Sequence, residues 1–263
     1  RIVQGEAYFC IGMSEPDSGS DLAGVRTKAE KVDGGWLING AKIWTSGAHK
    51  CHYMIGLFRT DPKAEKHDGL SQFLVDLKTP GITVRPLLHL TGKHEFNEVI
   101  FEDAILAENT VLGEIDSAWK QATSELAYER SGPERFLETI YILPELIDLI
   151  GKEPDLRGAE GIGRLVAQLH TLRRMSISVN GMLEAGKEPT LQGSVVKDLG
   201  TQWEQKLPAR VRELAAFSDV EPNNRADFEE LLRYATLIAP KLTIQGGTTE
   251  ILRGIIARGL GLR

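Results

Sequence analysis

Two stretches of this chain carry residue types suited to holding a ligand. Met13-Ser14-Glu15-Pro16-Asp17-Ser18-Gly19-Ser20-Asp21 reads as a tight, hydroxyl-rich turn between β segments. Pro16 fixes φ, Gly19 permits a positive φ, and Ser18, Ser20 and Asp21 can bond local backbone. Such a turn leaves backbone N–H groups pointing outward, which suits an anionic ligand such as a pyrophosphate. Lys42-Ile43-Trp44-Thr45-Ser46 sets a flat aromatic face beside two hydroxyls, a surface suited to a planar heterocycle. Taken singly, the first is an ordinary β-turn and the second a strand with a core tryptophan. A third motif, Gly246-Gly247-Thr248-Thr249-Glu250-Ile251, lies near the other end of the chain.

The elements that must position these residues fall into two kinds. Residues 7 to about 112 read as short strands separated by turns. Ala7–Met13, Tyr53–Phe58, Ser71–Asp76 and Val99–Phe101 are apolar runs, and Val25–Val32 alternates weakly as a half-exposed strand would. Asp33-Gly34-Gly35 signals a hairpin, Asn39-Gly40 a second turn and Thr79-Pro80-Gly81 a third. From Ser117 the period becomes helical, with Trp119, Ala122, Leu126 and Ala127 on one face and Pro133 as a breaker. Further helices are expected from Ile162 to Gly186, from Leu191 to Phe217 with an interruption at Pro208, and from Asp227 to Ala239 with a kink at Pro240. The last starts near Thr248, capped by Thr248 or Thr249. The expected fold class is α+β: an antiparallel β-barrel or sandwich over residues 1–113, then an antiparallel helical bundle over 114–263.

The chain's 263 residues suffice for one large domain or two ordinary ones, and 41% hydrophobic with 26% charged residues is a globular balance. A net charge of −6 argues against nucleic acid, which wants a basic face. No apolar run approaches the roughly 20 residues a membrane helix needs. Cys10 and Cys51 form no disulfide framework and fit a reducing compartment. The six histidines show no metal-ligand spacing with carboxylates, so no metal is expected.

The three motifs, in this order and spacing, resemble the acyl-CoA dehydrogenase family across nearly the whole chain: Ser14-Glu15-Pro16-x-x-Gly19-Ser20-Asp21, Asn39-Gly40-x-Lys42-x-Trp44 and Gly246-Gly247-Thr248-Thr249-Glu250-Ile251. The resemblance implies FAD as cofactor and α,β-dehydrogenation of an acyl-CoA thioester, with electrons leaving through an electron-transfer flavoprotein. It implies a homo- or hetero-oligomer, a dimer or a tetramer, in a bacterial cytoplasm or a mitochondrial matrix. Carried over by position, Ile11, Met13 and Ser14 line the flavin ring, and Gly19 and Ser20 stand where relatives contact cofactor and acyl-CoA. Trp44 packs on the ring and Ser46 lies near its N5, where relatives often have Thr. Thr248 and Glu250 match positions that reach the cofactor.

Many relatives carry the catalytic base in a Tyr-Glu-Gly-Thr stretch, which here is Gln245-Gly246-Gly247-Thr248, so that glutamate is Gly246. A minority branch, including the isovaleryl- and long-chain-type enzymes, places it in the first helix after the β domain. Leu126-Ala127-Tyr128-Glu129-Arg130 matches that place, and Glu129 falls on the glutamate. The resemblance therefore implies Glu129 as base, entering room that Gly246 leaves, with apolar burial raising its pKa. Gly246 still offers the backbone N–H that relatives aim at the thioester oxygen. Trp119 and Arg130 stand as CoA-side contacts by position, though a core anchor and an ion-pair partner are their structural readings.

The chain departs from its relatives in three ways. The all-helical domain that ordinarily precedes the Ser-Glu-Pro stretch is not in it, which implies either a fragment or a surface covered by another chain, and two family segments that hold the pyrophosphate and adenosine parts of FAD have no counterpart. Their places are taken by Gly151–Arg157 and Leu237–Lys241. These departures support a second reading, a non-catalytic companion subunit in a heteromer. A flavin monooxygenase on the same fold fits less well, because the Gly-Gly-Thr segment is kept.

Overall fold

The computed structural model describes residues 1–216 and 225–262, with backbone alone at 125–128; Phe217 and the side chains of Leu126, Ala127 and Tyr128 lie outside the described residues. The chain divides into two compact units, Arg1–Ser124 and Glu125–Arg263.

The first unit holds eight strands: β1 (Phe9–Gly12), β2 (Lys28–Val32), β3 (Gly35–Lys42), β4 (Tyr53–Arg59), β5 (Leu70–Asp76), β6 (Ile82–Leu88), β7 (His94–Ala107) and β8 (Val111–Leu112). They form one open sheet in the order β6-β7-β3-β2-β4-β5-β8, with β1 joined to β4. The pairings are antiparallel as expected, except that β1 runs parallel to β4 and β2 meets β4 in one parallel pair. Trp36, Ile38, Phe58, Phe73, Val99 and Phe101 fill the core. There the Phe58 ring stands edge-on to Phe73 at 5.6 Å and to Phe101 at 5.4 Å.

Asp33-Gly34 does turn β2 into β3, but Asn39-Gly40 is no turn. It is a bulge inside β3, where the register against β7 shifts between Ile38 and Gly40. The Asn39 side chain donates to Asp103 Oδ1 at 3.0 Å and accepts from Asp103 N–H at 2.9 Å, which pins the irregularity across the ladder. Gly40 has φ +139°, and a Cβ there would lie 2.8 Å from Thr27 Cα, so only glycine permits the approach. β6 escapes the turn-and-run pattern because Pro86 sits in it; as the edge strand it loses no ladder donor that matters.

The helices are α1 (Ala118–Glu129), α2 (Ile142–Ile150), α3 (Leu156–Glu184), α4 (Thr190–Ala215), α5 (Ala226–Leu242) and α6 (Thr249–Gly259). α1 starts in the first unit, where Ala118 and Trp119 pack with Val25, Leu57 and Leu70. The remaining helices form the second unit, connected by short loops in the manner of an antiparallel bundle. α4 is its hub and contacts α2, α3, α5 and α6. α3 buries Gly158, Leu165, Leu172 and Val179, a seven-residue spacing that makes one narrow seam. α2 was masked in the sequence by Pro144, which sits in its first turn, where no intrahelical donor is lost.

The interruption expected at Pro208 does not occur, and the helix expected to end at Ala239 with a kink at Pro240 continues to Leu242. α4 runs unbroken through Pro208 and α5 through Pro240. Pro208 lacks the N–H that would bond the Glu204 carbonyl, and the Thr139 hydroxyl donates to that carbonyl instead, at 3.4 Å.

Candidate functional site

In the first unit the Ser14 and Trp44 stretches are knitted together. The turn closes by reciprocal bonds of 3.0 Å between the main chains of Glu15 and Ser18, across Pro16-Asp17. Ile43 N–H donates to Ser14 O at 2.9 Å, which sets the two motifs side by side. Beneath them Lys42, wholly buried, reaches Glu15 Oε1 at 2.7 Å and Met13 O at 3.2 Å. The Glu15 carboxylate also accepts the N–H groups of Arg26 at 2.6 Å and Thr27 at 2.9 Å. Burial pushes this carboxyl up, but the Lys42 ammonium and those donors outweigh it and hold it below the usual range. Burial pulls Lys42 down to about 8, with Glu15 opposing. Sequence reading gave this pair no role: the two residues lie 27 apart, and only their shared burial shows that they hold the motifs together.

Trp44 stands at φ +59°, a left-handed conformation that costs a non-glycine residue roughly 1–2 kcal/mol. Its neighbour is clamped: Thr45 and Asn97 exchange main-chain bonds at 3.0 Å, and Asn97 Nδ2 donates to Thr45 O. The result is an indole 59% exposed, edge-on to Phe96 at 5.8 Å. Ile11 is also exposed, Met13 and Ser14 are half-buried, and Ser46, Gly19 and Ser20 are exposed. The Thr45 hydroxyl is buried with no partner. An exposed apolar platform, a strained tryptophan and an orphaned hydroxyl suit a flat ring with polar edges, so the residues present fit the isoalloxazine of FAD. Trp119 is half-buried, with His67 at 4.7 Å, in the place of a core anchor.

In the second unit, α1 ends at Glu129 and the chain turns through Gly132 into a short 3-10 segment, Pro133–Arg135. Arg135 is buried, and its side chain folds back to donate to Glu129 Oε1 and, at 3.5 Å, to the Glu129 carbonyl. The Glu129 side chain is 51% exposed. The apolar burial expected for it is absent; a guanidinium is its neighbour instead. Arg130 is buried, and its Nε has no partner. Burial, then Arg135, pulls the Arg130 guanidinium down, with Glu129 opposing.

The Gly246-Gly247 turn sits over this cluster. Lys197, from α4 and fully buried, donates to Gly247 O at 2.8 Å. Burial pulls Lys197 down to about 8, with Arg135 and Arg130 adding to it. A Cβ on Gly246 would meet Arg135 Nη2 at 3.2 Å and Lys197 Cε at 3.3 Å. Two cationic side chains therefore flank Gly246, where the sequence suggested room for an incoming carboxylate. Thr248 caps α6 through its hydroxyl, accepting Ile251 N–H at 3.4 Å. Glu250 is exposed, its carboxyl held below the usual range by its own N–H and the Thr248 hydroxyl. Arg135 and Lys197 were not found by sequence reading, because neither stands in a motif.

Residues 10–104 match the family profile described as the acyl-CoA dehydrogenase middle domain. The chain is 37% identical over 262 residues to the acyl-CoA dehydrogenase FadE34 of Mycobacterium tuberculosis, covering 99% of this chain and 36% of that protein. It is 35% identical over 270 residues to the acyl-CoA dehydrogenase IpdE1 of the same organism, covering 100% of this chain and 69% of that protein. The chain thus spans about a third of the first relative's length and about two thirds of the second's. Among solved structures, the ChsE4-ChsE5 complex from Mycobacterium tuberculosis matches with a TM-score of 0.84 at 25% identity, over 100% of this chain and 71% of that one. With an identity of 35% sustained over more than two thirds of a relative, this chain belongs to the acyl-CoA dehydrogenase family.

Proposed function

We propose that the chain serves the α,β-dehydrogenation of an acyl-CoA thioester to the trans-2-enoyl-CoA, with Glu129 as the base that takes the α-proton. FAD, when bound, supplies the acceptor for the β-hydride at N5. Ile11, Met13, Ser14, Trp44 and Ser46 would hold its ring, Gly19 and Ser20 would meet cofactor and acyl-CoA, and Thr248 and Glu250 match positions that reach the cofactor in relatives. The Gly246 N–H would donate to the thioester oxygen as charge develops there, and Arg130 would serve the CoA side. Electron-transfer flavoprotein would receive the electrons, and the working assembly would be an oligomer. The observation that carries this reading is the carboxylate of Glu129, half-exposed and fixed by Arg135 beside the Gly246-Gly247 turn. Glu129→Gln should leave FAD binding intact and cut turnover by roughly 10²–10⁴-fold, with loss of substrate-driven bleaching of the flavin. A fully active variant would remove the assignment.

A companion subunit is the second reading. It is favoured by glycine at 246, where many relatives carry the base, and by the likeness to chains solved as a ChsE4-ChsE5 complex. A visible spectrum of the chain purified alone separates the two: no bound flavin, and none gained on adding FAD, supports the companion.

A further inference from the structure

We infer that Arg135 is a positioning residue for the carboxylate of Glu129: it fixes Oε1, leaves Oε2 as the oxygen that takes the proton, and is the reason that residue 246 is glycine. This rests on the reading of Glu129 as the base.

Glu129 is the last residue of α1, and half of its side chain meets solvent. A free glutamate there would spend its time among many rotamers, and holding one of them costs side-chain entropy. Arg135 removes that freedom. Pro133 ends the helix and starts a 3-10 turn, closed by Gly132 N–H on Glu129 O at 3.3 Å and Arg135 N–H on Gly132 O at 3.1 Å. This returns the guanidinium to the residue six positions before it. The fork then takes both the side chain and the carbonyl of Glu129, while Glu134 Oε1 lies 3.8 Å from Nε on its flank. A planar guanidinium held at two points orients a carboxylate better than a flexible ammonium would. Only Oε1 is engaged; among the described residues no donor bonds Oε2. Arg130 is adjacent in sequence, yet it does not take this role and its Nε is unpartnered.

The other face of the guanidinium explains Gly246. At φ +67° a side chain at 246 is strained in any case, and its Cβ, 3.2 Å from Arg135 Nη2, would crowd the fork. Lys197 blocks a retreat of the turn by holding Gly247 O at 2.8 Å, its Cε 3.3 Å from the same Cβ. Carboxylate at 129, guanidinium at 135 and glycine at 246 are thus one arrangement. Replacing any one of them disturbs the other two.

The test isolates proton abstraction from the redox step. A 3-thia acyl-CoA deuterated at the α-carbon cannot be dehydrogenated, but its α-deuteron can pass to Oε2. The C–D electron pair shifts towards the thioester oxygen, and a solvent proton returns to carbon. Loss of α-deuterium is followed by NMR with the FAD-loaded protein, and the thioester Kd by the change in flavin spectrum. Arg135→Gln should slow the exchange about 100-fold, the effect of roughly 1 Å of misplacement, while the Kd moves less than about threefold. Arg135→Lys should recover part of that rate. Gly246→Ala, which presses the fork without deleting it but also shifts the Gly246 N–H, should slow exchange about tenfold; if Arg135→Gln does not fold, slowed exchange at an unchanged Kd in Arg135→Lys decides the matter. Exchange at the wild-type rate in Arg135→Gln or in Gly246→Ala, alongside a dead Glu129→Gln, overturns the role of Arg135 and leaves the base in place. Undiminished exchange in Glu129→Gln overturns the base itself, and a wild-type protein that exchanges nothing overturns both.

Discussion

Glu204 is a carboxyl wholly buried in α4, and replacing it by glutamine should reshape the pH dependence of stability. Its Oε1 accepts Thr139 N–H at 2.6 Å, while Oε2 has no partner. Burial pushes it up to about 7, with the charge of Glu138 adding and the Thr139 donor opposing. An acid whose pKa is higher in the fold than in the unfolded chain stabilises the fold when protonated. Its contribution is fully present below the unfolded value, near 4.5, and is lost as pH rises through about 7. That difference corresponds to about 3 kcal/mol at pH 8. Glutamine keeps an acceptor for Thr139 and never ionises. Glu204→Gln should therefore match the wild type near pH 5 and exceed it by about 2–3 kcal/mol at pH 8, some 5 °C or more in Tm. Urea and thermal unfolding followed by far-UV circular dichroism, run from pH 5 to 8, measure this. Parallel pH profiles for wild type and variant would show that the Glu204 carboxyl is held no higher in the fold than in the unfolded chain and would refute the reasoning.

Lys42→Met should lower stability by about 3–5 kcal/mol, because it strands the Glu15 carboxylate, only 8% exposed, without its cation. Urea melts check this, and a loss under about 1 kcal/mol would mean that the backbone donors of Arg26 and Thr27 suffice. Gly40→Ala should lower stability by at least about 1–3 kcal/mol, from the φ of +139° together with the overlap on Thr27. A thermal melt within a degree of wild type would show that the bulge can relax.

What could be read without coordinates was local. The Asp33-Gly34 hairpin, the end of α3 just before Gly186 and the capping of α6 by Thr248 follow from residues within a turn of one another. The order of strands before helices and the place of the three motifs were equally legible, since period and spacing are properties of a linear string. What the string hides is compensation at a distance. Pro208 breaks no helix because Thr139, 65 residues before Glu204, serves the Glu204 carbonyl that the proline abandons. Asn39-Gly40 signals a turn in any sequence, yet Asp103 across the ladder makes it a bulge. Glu129 was singled out by its match to the glutamate of a minority branch, but its partner was not. Whether a carboxylate meets oil or a guanidinium depends on which side chains return to it, and Arg135 returns only because Pro133 bends the chain. Lys197 and Gly246 come from two further elements, and their electrostatics exist only once α4 and the turn after α5 are packed together.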